Sequence, residues 1–116
     1  MIEAIDFGRI RINGVTYEHD VLITSDGEVR DRRRRLSTQS HEVDREEILQ
    51  ILESDPEAII IGTGMMNRVR IKDDARDLVR ERGILLYVYN SRETMTRFNE
   101  MRKEGKRVAA IIHITC

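Results

Sequence analysis

The sequence is poor in the residues that cross-link small proteins or bind metals in pairs. Cys116 is the only cysteine among 116 residues, which excludes an internal disulfide and any paired-thiol zinc or redox motif. His19, His41 and His113 show no short paired spacing with one another or with Cys116, so the sequence predicts no metal site. A Gly-x-Ser-x-Gly segment is also missing, and serine hydrolase chemistry is therefore unsupported.

Aromatic residues and net charge are scarce as well. The chain has no tryptophan, 4% aromatic residues, and 20 basic against 21 acidic residues, which gives a formal net charge of -1. A base-stacking platform and a general attraction to polyanions are not expected from this composition. We predict no cofactor and no nucleic-acid partner, although a small anion could still bind locally.

Long apolar segments are absent too. Runs such as Val108 to Ile112 are far shorter than the roughly 20 residues that span a bilayer. The first residues include Glu3 and Asp6, where a secretion signal needs basic residues. We therefore expect a cytoplasmic protein that does not contact membranes. Its length and its 40% of hydrophobic residues fit a single domain over residues 1–116.

The first third of the chain has the patterns of β-strands. Phe7 to Ile12 alternates between apolar and basic residues, as a half-buried strand does. Asn13-Gly14 follows, and this pair is the strongest short hairpin signal because both residues tolerate positive φ. Further strands are predicted at Val15 to Tyr17, His19 to Thr24 and Glu28 to Arg33. The sequence thus predicts an N-terminal antiparallel meander.

From Asp44 onward, helices alternate with apolar strands. Asp44 and Glu47 have the spacing of a capping box, and Ala58 to Ile61 is a continuous apolar run typical of a strand buried on both faces. Helices are predicted from Asp44 to Ser54, Asp73 to Gly83 and Ser91 to Gly105, and buried strands at Ala58 to Ile61, Ile84 to Tyr89 and Val108 to Ile114. This alternation predicts a three-layer α/β fold, with helices packed on a mixed β-sheet beside the meander.

Gly62-Thr63-Gly64 directly follows a predicted strand and is the best candidate for a ligand-binding loop. Two glycines permit a sharp turn that presents backbone N–H groups to an anion or a carbonyl. A dinucleotide fingerprint is rejected because Asn67 occupies the position of its third glycine, and no Gly-Lys-Ser/Thr segment follows. A tight structural turn at the strand exit is an equal alternative.

The position of this loop also predicts which residues would surround a ligand. Ligands of open α/β sheets bind beyond the carboxyl ends of the strands. There the loop would meet Asn90 and Arg92, provided that the two preceding strands are parallel. His113 joins this group only if the last strand runs in the same direction, which the sequence leaves open.

Two histidines are further candidates for that site, each with a structural alternative. His41 precedes the first helix, where it either forms capping hydrogen bonds or reaches into a cleft. His113 lies in an apolar strand, which is more typical of a hydrogen-bonded core histidine than of a catalytic base. Cys116 is interpreted as an unreactive thiol, since a reactive thiolate needs a nearby cation.

Arg30 and the run Arg32, Arg33, Arg34 and Arg35 form the densest basic segment. A charged, solvated edge strand is the favoured interpretation, because charges on an edge prevent aggregation. A protein interface and a polyanion site are the two alternatives.

Several segments resemble one small protein family. They are Ile61-Gly62-Thr63-Gly64, Asn99 followed by Arg107-Val108-Ala109-Ala110, and His113-Ile114-Thr115-Cys116. The early Phe7-Gly8 and Asp20-Val21 pairs and Thr38 to His41 are similar as well. The family includes the adipogenesis-associated protein of animals and mitochondrial complex I assembly factor 3. The chain departs from many relatives in having Asn67 in place of a glycine and no glycine within Leu36 to Ser40.

The resemblance implies a compact mixed sheet with helices on its faces and a small antiparallel layer. It also implies a binding or assembly role, because the eukaryotic relatives act through other proteins. We therefore expect a non-enzymatic domain that engages a protein partner or forms a weak homo-oligomer. The alternative is an enzyme or a binder of small anions that uses the Gly62-Thr63-Gly64 loop.

Overall fold

The computed structural model describes residues 1–32 and 41–116. The strands are β1 (Ile2–Asp6), β2 (Arg9–Ile12), β3 (Val15–Tyr17), β4 (Val21–Ile23), β5 (Val29–Asp31), β6 (Glu42–Val43), β7 (Ala58–Gly62), β8 (Arg70–Ile71), β9 (Leu85–Tyr89) and β10 (Val108–Ile112). The helices are α1 (Arg45–Leu52), α2 (Asp73–Glu81) and α3 (Ser91–Lys103). Within the described residues, no helix has the length and apolar character needed to cross a membrane.

The N-terminal strands β1, β2 and β3 form an antiparallel sheet. Asn13 and Gly14 have φ angles of 48° and 82°, the left-handed conformation that the hairpin between β2 and β3 requires. Strand β1 was not predicted from the sequence. It pairs with β2 across the Phe7-Gly8 turn, and its Ile2 is buried.

The central sheet has five strands in the order β5-β4-β10-β7-β9. Strands β10, β7 and β9 are parallel to one another, whereas β4 is antiparallel to both β10 and β5. The last strand therefore runs in the same direction as the two strands before it, which the sequence had left open. As a consequence, the carboxyl ends of β7, β9 and β10 lie at the same edge of the sheet.

Hydrophobic cores cover both faces of the central sheet. On one face, Ile60 shares a core with Phe98 of α3 and with Ile10 of the N-terminal sheet. On the other face, Ile61 shares a core with helices α1 and α2, including Leu78. The alternation of side chains along each strand produces this division. The predicted three-layer α/β fold with a mixed sheet and an N-terminal antiparallel layer is confirmed.

Some predicted elements differ in detail. The second half of the predicted meander, β4 and β5, belongs to the central sheet, since β4 pairs with β10. A two-residue parallel pairing of β6 with β8 was not predicted. Helix α3 is capped by Asn90 instead of Ser91: the Asn90 side chain accepts a hydrogen bond from Glu93 N, whereas Ser91 is buried.

Strand β9 was predicted to be buried, and this was wrong. Among the described strands it pairs with β7 alone and forms one end of the central sheet. Leu85 is 59% exposed and Val88 41% exposed. An unbroken apolar run does not distinguish a central strand from an edge strand, because its position depends on the order in which strands pair.

Candidate functional site

The turn after β7 lies directly against residues 113–116. Gly64 has a φ of 95°. A Cβ atom on Gly64 would lie 2.6 Å from the carbonyl carbon of Cys116 and 2.8 Å from Cδ2 of His113. Glycine is therefore required here both by the backbone conformation and by the close approach of another segment.

Several backbone amides in and after this turn donate hydrogen bonds within the chain. Thr63 N donates to Tyr89 O at 2.8 Å. The amides that follow the glycines donate to residues 115 and 116: Met65 N to Thr115 O, and Met66 N and Arg68 N to Cys116 O. These hydrogen bonds favour the interpretation of Gly62-Thr63-Gly64 as a structural turn over that of an anion-binding loop.

The other residues predicted around the loop divide into two groups. Thr63, Asn67 and Asn90 line one open groove at the carboxyl edge of the sheet, together with Arg97. Thr63 Oγ1 donates to Asn67 Oδ1 at 2.6 Å, and Asn67 has a left-handed φ of 53°. Arg92 is exposed on α3 and does not line this groove.

His41, His113 and Cys116 form a second group, here named the His–His–Cys cluster. One ligand atom of each residue lies within 4.8 Å of those of the other two. His41 Nε2 is 3.4 Å from Cys116 Sγ, and the two imidazole rings are perpendicular with centroids 5.1 Å apart. Imidazole nitrogen and thiol sulfur are ligands of zinc and related metals. The sequence did not indicate this convergence, because the spacings are long.

A buried network of charges lies behind the cluster. His113 Nδ1 is 2.7 Å from Asp20 Oδ2, and Ile114 N donates to Asp20 Oδ1 at 3.0 Å. Arg32 Nη1 donates to Asp20 Oδ2 at 2.9 Å, and Arg32 Nε donates to Glu47 Oε2 at 2.6 Å. We refer to these three charged residues as the Asp20–Arg32–Glu47 network.

The network changes the acidity of its members. Burial alone would raise the pKa of Asp20, but hydrogen bonds from His113 and Ile114, with the charges of His113 and Arg32, lower it below its ordinary value. Burial would lower the pKa of Arg32, yet the hydrogen bonds and charges of Glu47 and Asp20 raise it. Asp20 and Arg32 are thus held in their ionised forms.

The prediction that Arg32 belongs to an exposed basic patch was wrong. Its side chain is buried and directed inward to Asp20 and Glu47. Arg30 is partly exposed and pairs with Glu28. The predicted patch residues Arg33, Arg34 and Arg35 lie outside the described residues. A basic run in sequence does not reveal which of its members faces buried acids.

The Asp20–Arg32–Glu47 network was missed by sequence reasoning. Glu47 was noted only for its place in a capping box, and Asp20 only as part of a family resemblance. Asp20 and His113 are separated by 93 positions, so their contact follows from the pairing of β4 with β10. Sequence pattern alone contains no signal for that pairing.

The fold defines a small mixed α/β protein with an added antiparallel sheet. The chain belongs to the family described as "Protein of unknown function (DUF498/DUF598)", whose model matches residues 2–113.

Solved structures of similar proteins share this fold. The conserved hypothetical protein PH1505 from Pyrococcus horikoshii OT3 is 28% identical over 100% of this chain and 99% of that chain, with a TM-score of 0.90. The structure described as MT938 is 36% identical over 100% and 98% of the two chains, with a TM-score of 0.80. An outer membrane protein from Bartonella henselae is 21% identical over 99% and 94%, with a TM-score of 0.81. At 21% sequence identity, the similarity to the Bartonella henselae protein shows only that the two share a fold. The relation to the animal and mitochondrial proteins stays a prediction.

Proposed function

We propose that this chain is a protein-assembly domain that pairs through the free edge of β9, and that the partner is a second copy of the chain. The observation that carries the proposal is the exposure of Leu85 and Val88, 59% and 41%, on an uncharged strand at the end of the sheet. Exposed apolar edge strands pair readily with other chains.

The two edge strands of the described central sheet differ in length and in charge. Strand β5, at the opposite end of the described sheet, has three residues and includes the charged Arg30 and Asp31. Strand β9 has five residues, Leu-Leu-Tyr-Val-Tyr, with no charge and no proline. Natural proteins protect free edges with charges, proline or short length. Among the described strands, β5 has such protection and β9 lacks it.

The backbone of β9 has hydrogen-bonding groups on its outer side with which no described strand pairs. Leu85 N donates to Glu57 O, and Tyr89 O accepts from Thr63 N, so both residues bond toward β7. In a parallel ladder, alternate residues bond to the same neighbour. The N–H and C=O groups of Leu86 and Val88 therefore face away from β7. An added strand would satisfy them.

A second copy fits this edge on chemical grounds. The Leu85–Tyr89 segment is itself an extended, uncharged strand of the kind that the edge accepts, and antiparallel pairing would be isologous. Near the edge, Arg97 lies over the Tyr89 ring at 6.0 Å and pairs with Glu93 and Glu100. A second copy would therefore approach charges of both signs near the edge, so that a field of one sign does not repel it.

Sedimentation velocity over a wide concentration range tests the proposal with a matched pair of variants. Val88→Lys places a charge on the β9 edge, and its stem can extend into solvent because Val88 is partly exposed. Val15→Lys makes the same change at a 51% exposed residue in β3, an edge strand of the N-terminal sheet. We expect a dimer for the wild type and Val15→Lys, and a monomer for Val88→Lys.

Two results would contradict assembly through β9. One is a wild-type chain that stays monomeric at every concentration. The other is a dimer that Val88→Lys leaves intact. Circular dichroism of each variant verifies that the fold is retained, so that a loss of the dimer reports on the edge itself.

A further inference from the structure

We infer that the His–His–Cys cluster is a binding site for a divalent d-block cation, for which Zn²⁺ is the natural candidate. Two imidazoles and one thiolate form a mixed nitrogen and sulfur ligand set that zinc favours. The spread of the three ligand atoms, at most 4.8 Å, is close to what one ion requires. This site is independent of β9 and of the proposed assembly.

The backbone holds all three residues in place from different parts of the fold. His41 O accepts a hydrogen bond from Arg70 N at 2.8 Å. His113 N donates to Gly62 O at 3.0 Å. Cys116 O accepts hydrogen bonds from the turn after β7, as described above. A site whose ligands are anchored before the metal arrives loses less conformational entropy on binding.

Asp20 gives His113 the orientation typical of a metal ligand. Metal-binding histidines usually donate their second ring N–H to a carboxylate, which fixes the tautomer. Here Nδ1 of His113 is 2.7 Å from Asp20 Oδ2. Nε2 is then the nitrogen that carries the lone pair, and it accepts a hydrogen bond from Thr115 Oγ1 at 3.1 Å. The Thr115 hydroxyl can rotate away when an ion binds.

The charges behind the cluster favour a cation. In the described part of the chain, the Asp20–Arg32–Glu47 network contains two carboxylates and one guanidinium, all largely buried. The carboxylate of Asp20 lies 2.7 Å from the His113 ring, in surroundings that screen charge weakly. This carboxylate would attract a cation bound at the cluster and repel an anion.

Small movements suffice to complete the coordination. Zinc–nitrogen and zinc–sulfur bonds of about 2.0 and 2.3 Å set tetrahedral ligand atoms about 3.3 to 3.6 Å apart. His41 Nε2 and Cys116 Sγ are already 3.4 Å apart. His41 and Cys116 are only half-buried, so their side chains can adjust and an ion can enter from solvent. Three protein ligands leave the fourth position open for water.

The experiment titrates the intact chain, reduced and freed of metal, with Co²⁺ and then Zn²⁺. Tetrahedral Co²⁺ absorbs strongly in the visible range, and a cobalt–thiolate bond adds a charge-transfer band in the near ultraviolet. We expect one Co²⁺ per chain, with both features, and displacement of the cobalt by Zn²⁺.

Variants identify the ligands. Cys116→Ser should remove the thiolate band, and both Cys116→Ser and His41→Gln should weaken binding at least about tenfold. His19→Gln is the matched control, since His19 lies outside the cluster, and it should bind as the wild type does. Absence of binding to the wild type would overturn the inference. So would binding that persists in both ligand variants or is lost in His19→Gln.

Discussion

Gly64 meets two separate constraints, and a pair of alanine variants can distinguish them. Its positive φ strains any L-residue, and a Cβ would collide with the backbone of Cys116 at 2.6 Å. Gly105 also has a positive φ, of 78°, but open space surrounds the position of its Cβ. The two residues therefore share the conformational constraint and differ in the packing constraint.

We predict that Gly64→Ala lowers the free energy of unfolding by about 2–4 kcal/mol, because strain and overpacking add. Gly105→Ala should cost only about 1 kcal/mol. Urea unfolding of both variants measures the difference. Equal costs would mean that residues 113–116 do not lie against the turn.

At this scale, the sequence predicted the conformation of Gly64 but not its contact. Two glycines after an apolar run indicate a sharp turn whatever lies nearby. The contact with Cys116 depends on where a segment 52 positions further along the chain is placed. A local sequence pattern carries no information about a contact between segments so far apart in sequence. Likewise, the sequence showed the charge of Arg32 but did not predict that its side chain is buried.

At the scale of elements, Asn90 has a defined structural role at the start of α3. Its Oδ1 accepts a hydrogen bond from Glu93 N at 2.9 Å, which satisfies one of the unpaired amides of the first turn. Asn90 was predicted as a ligand-binding residue, together with Arg92. Its position in the groove leaves it available to solvent, but its side chain is already used as a cap.

We predict that Asn90→Ala lowers the free energy of unfolding by about 1 kcal/mol through loss of this cap. Arg92→Ala, at an exposed position two residues further, should change it by less than about 0.5 kcal/mol. Thermal or urea unfolding measures both. If the two variants were equally stable, the cap would contribute nothing and the ligand-binding interpretation of Asn90 would gain support.

Most elements were predictable because each has a local cause. Asn13-Gly14 produces its hairpin, Asp44 caps α1, and the run at Ala58 to Ile61 is buried as expected. The status of β9 was not predictable. Its composition is that of a buried strand, and only the order of strands in the sheet leaves it at the end.

At the scale of the whole molecule, Arg32 joins segments that are distant in sequence. It contacts Asp20 before β4, the backbone of Glu42 in β6, and Glu47 in α1. Through Asp20 it is also linked to His113, in the segment that follows β10. Its loss should therefore weaken the fold as a unit.

We predict that Arg32→Met lowers the free energy of unfolding by about 3–5 kcal/mol, since it removes a buried cation that contacts two buried carboxylates. Arg30→Met, which breaks only an exposed pair with Glu28, should cost less than about 1 kcal/mol. Denaturant unfolding with two spectroscopic probes measures both. A mild effect of Arg32→Met would argue that the Asp20–Arg32–Glu47 network contributes little to stability.

The architecture was predictable at this scale, and the His–His–Cys cluster was not. Periodicity is enough to indicate helices on a mixed sheet, since each element must bury its own apolar face. The His–His–Cys cluster exists only because β10 is parallel to β7, which brings His113 to the same edge of the sheet as Gly64. The direction of β10 relative to β7 depends on how the strands assemble into a sheet, and the local sequence does not determine it.

The unlike ends of the central sheet also determine how large an assembly becomes. Joining β9 to β9 of another copy would use the one unprotected end of the sheet formed by residues 1–32 and 41–116, and would leave a β5 strand, with its charges, on both outer sides. Such an arrangement is finite: it stops at two chains, because the described part of the sheet then has no unprotected end to pair with a third chain.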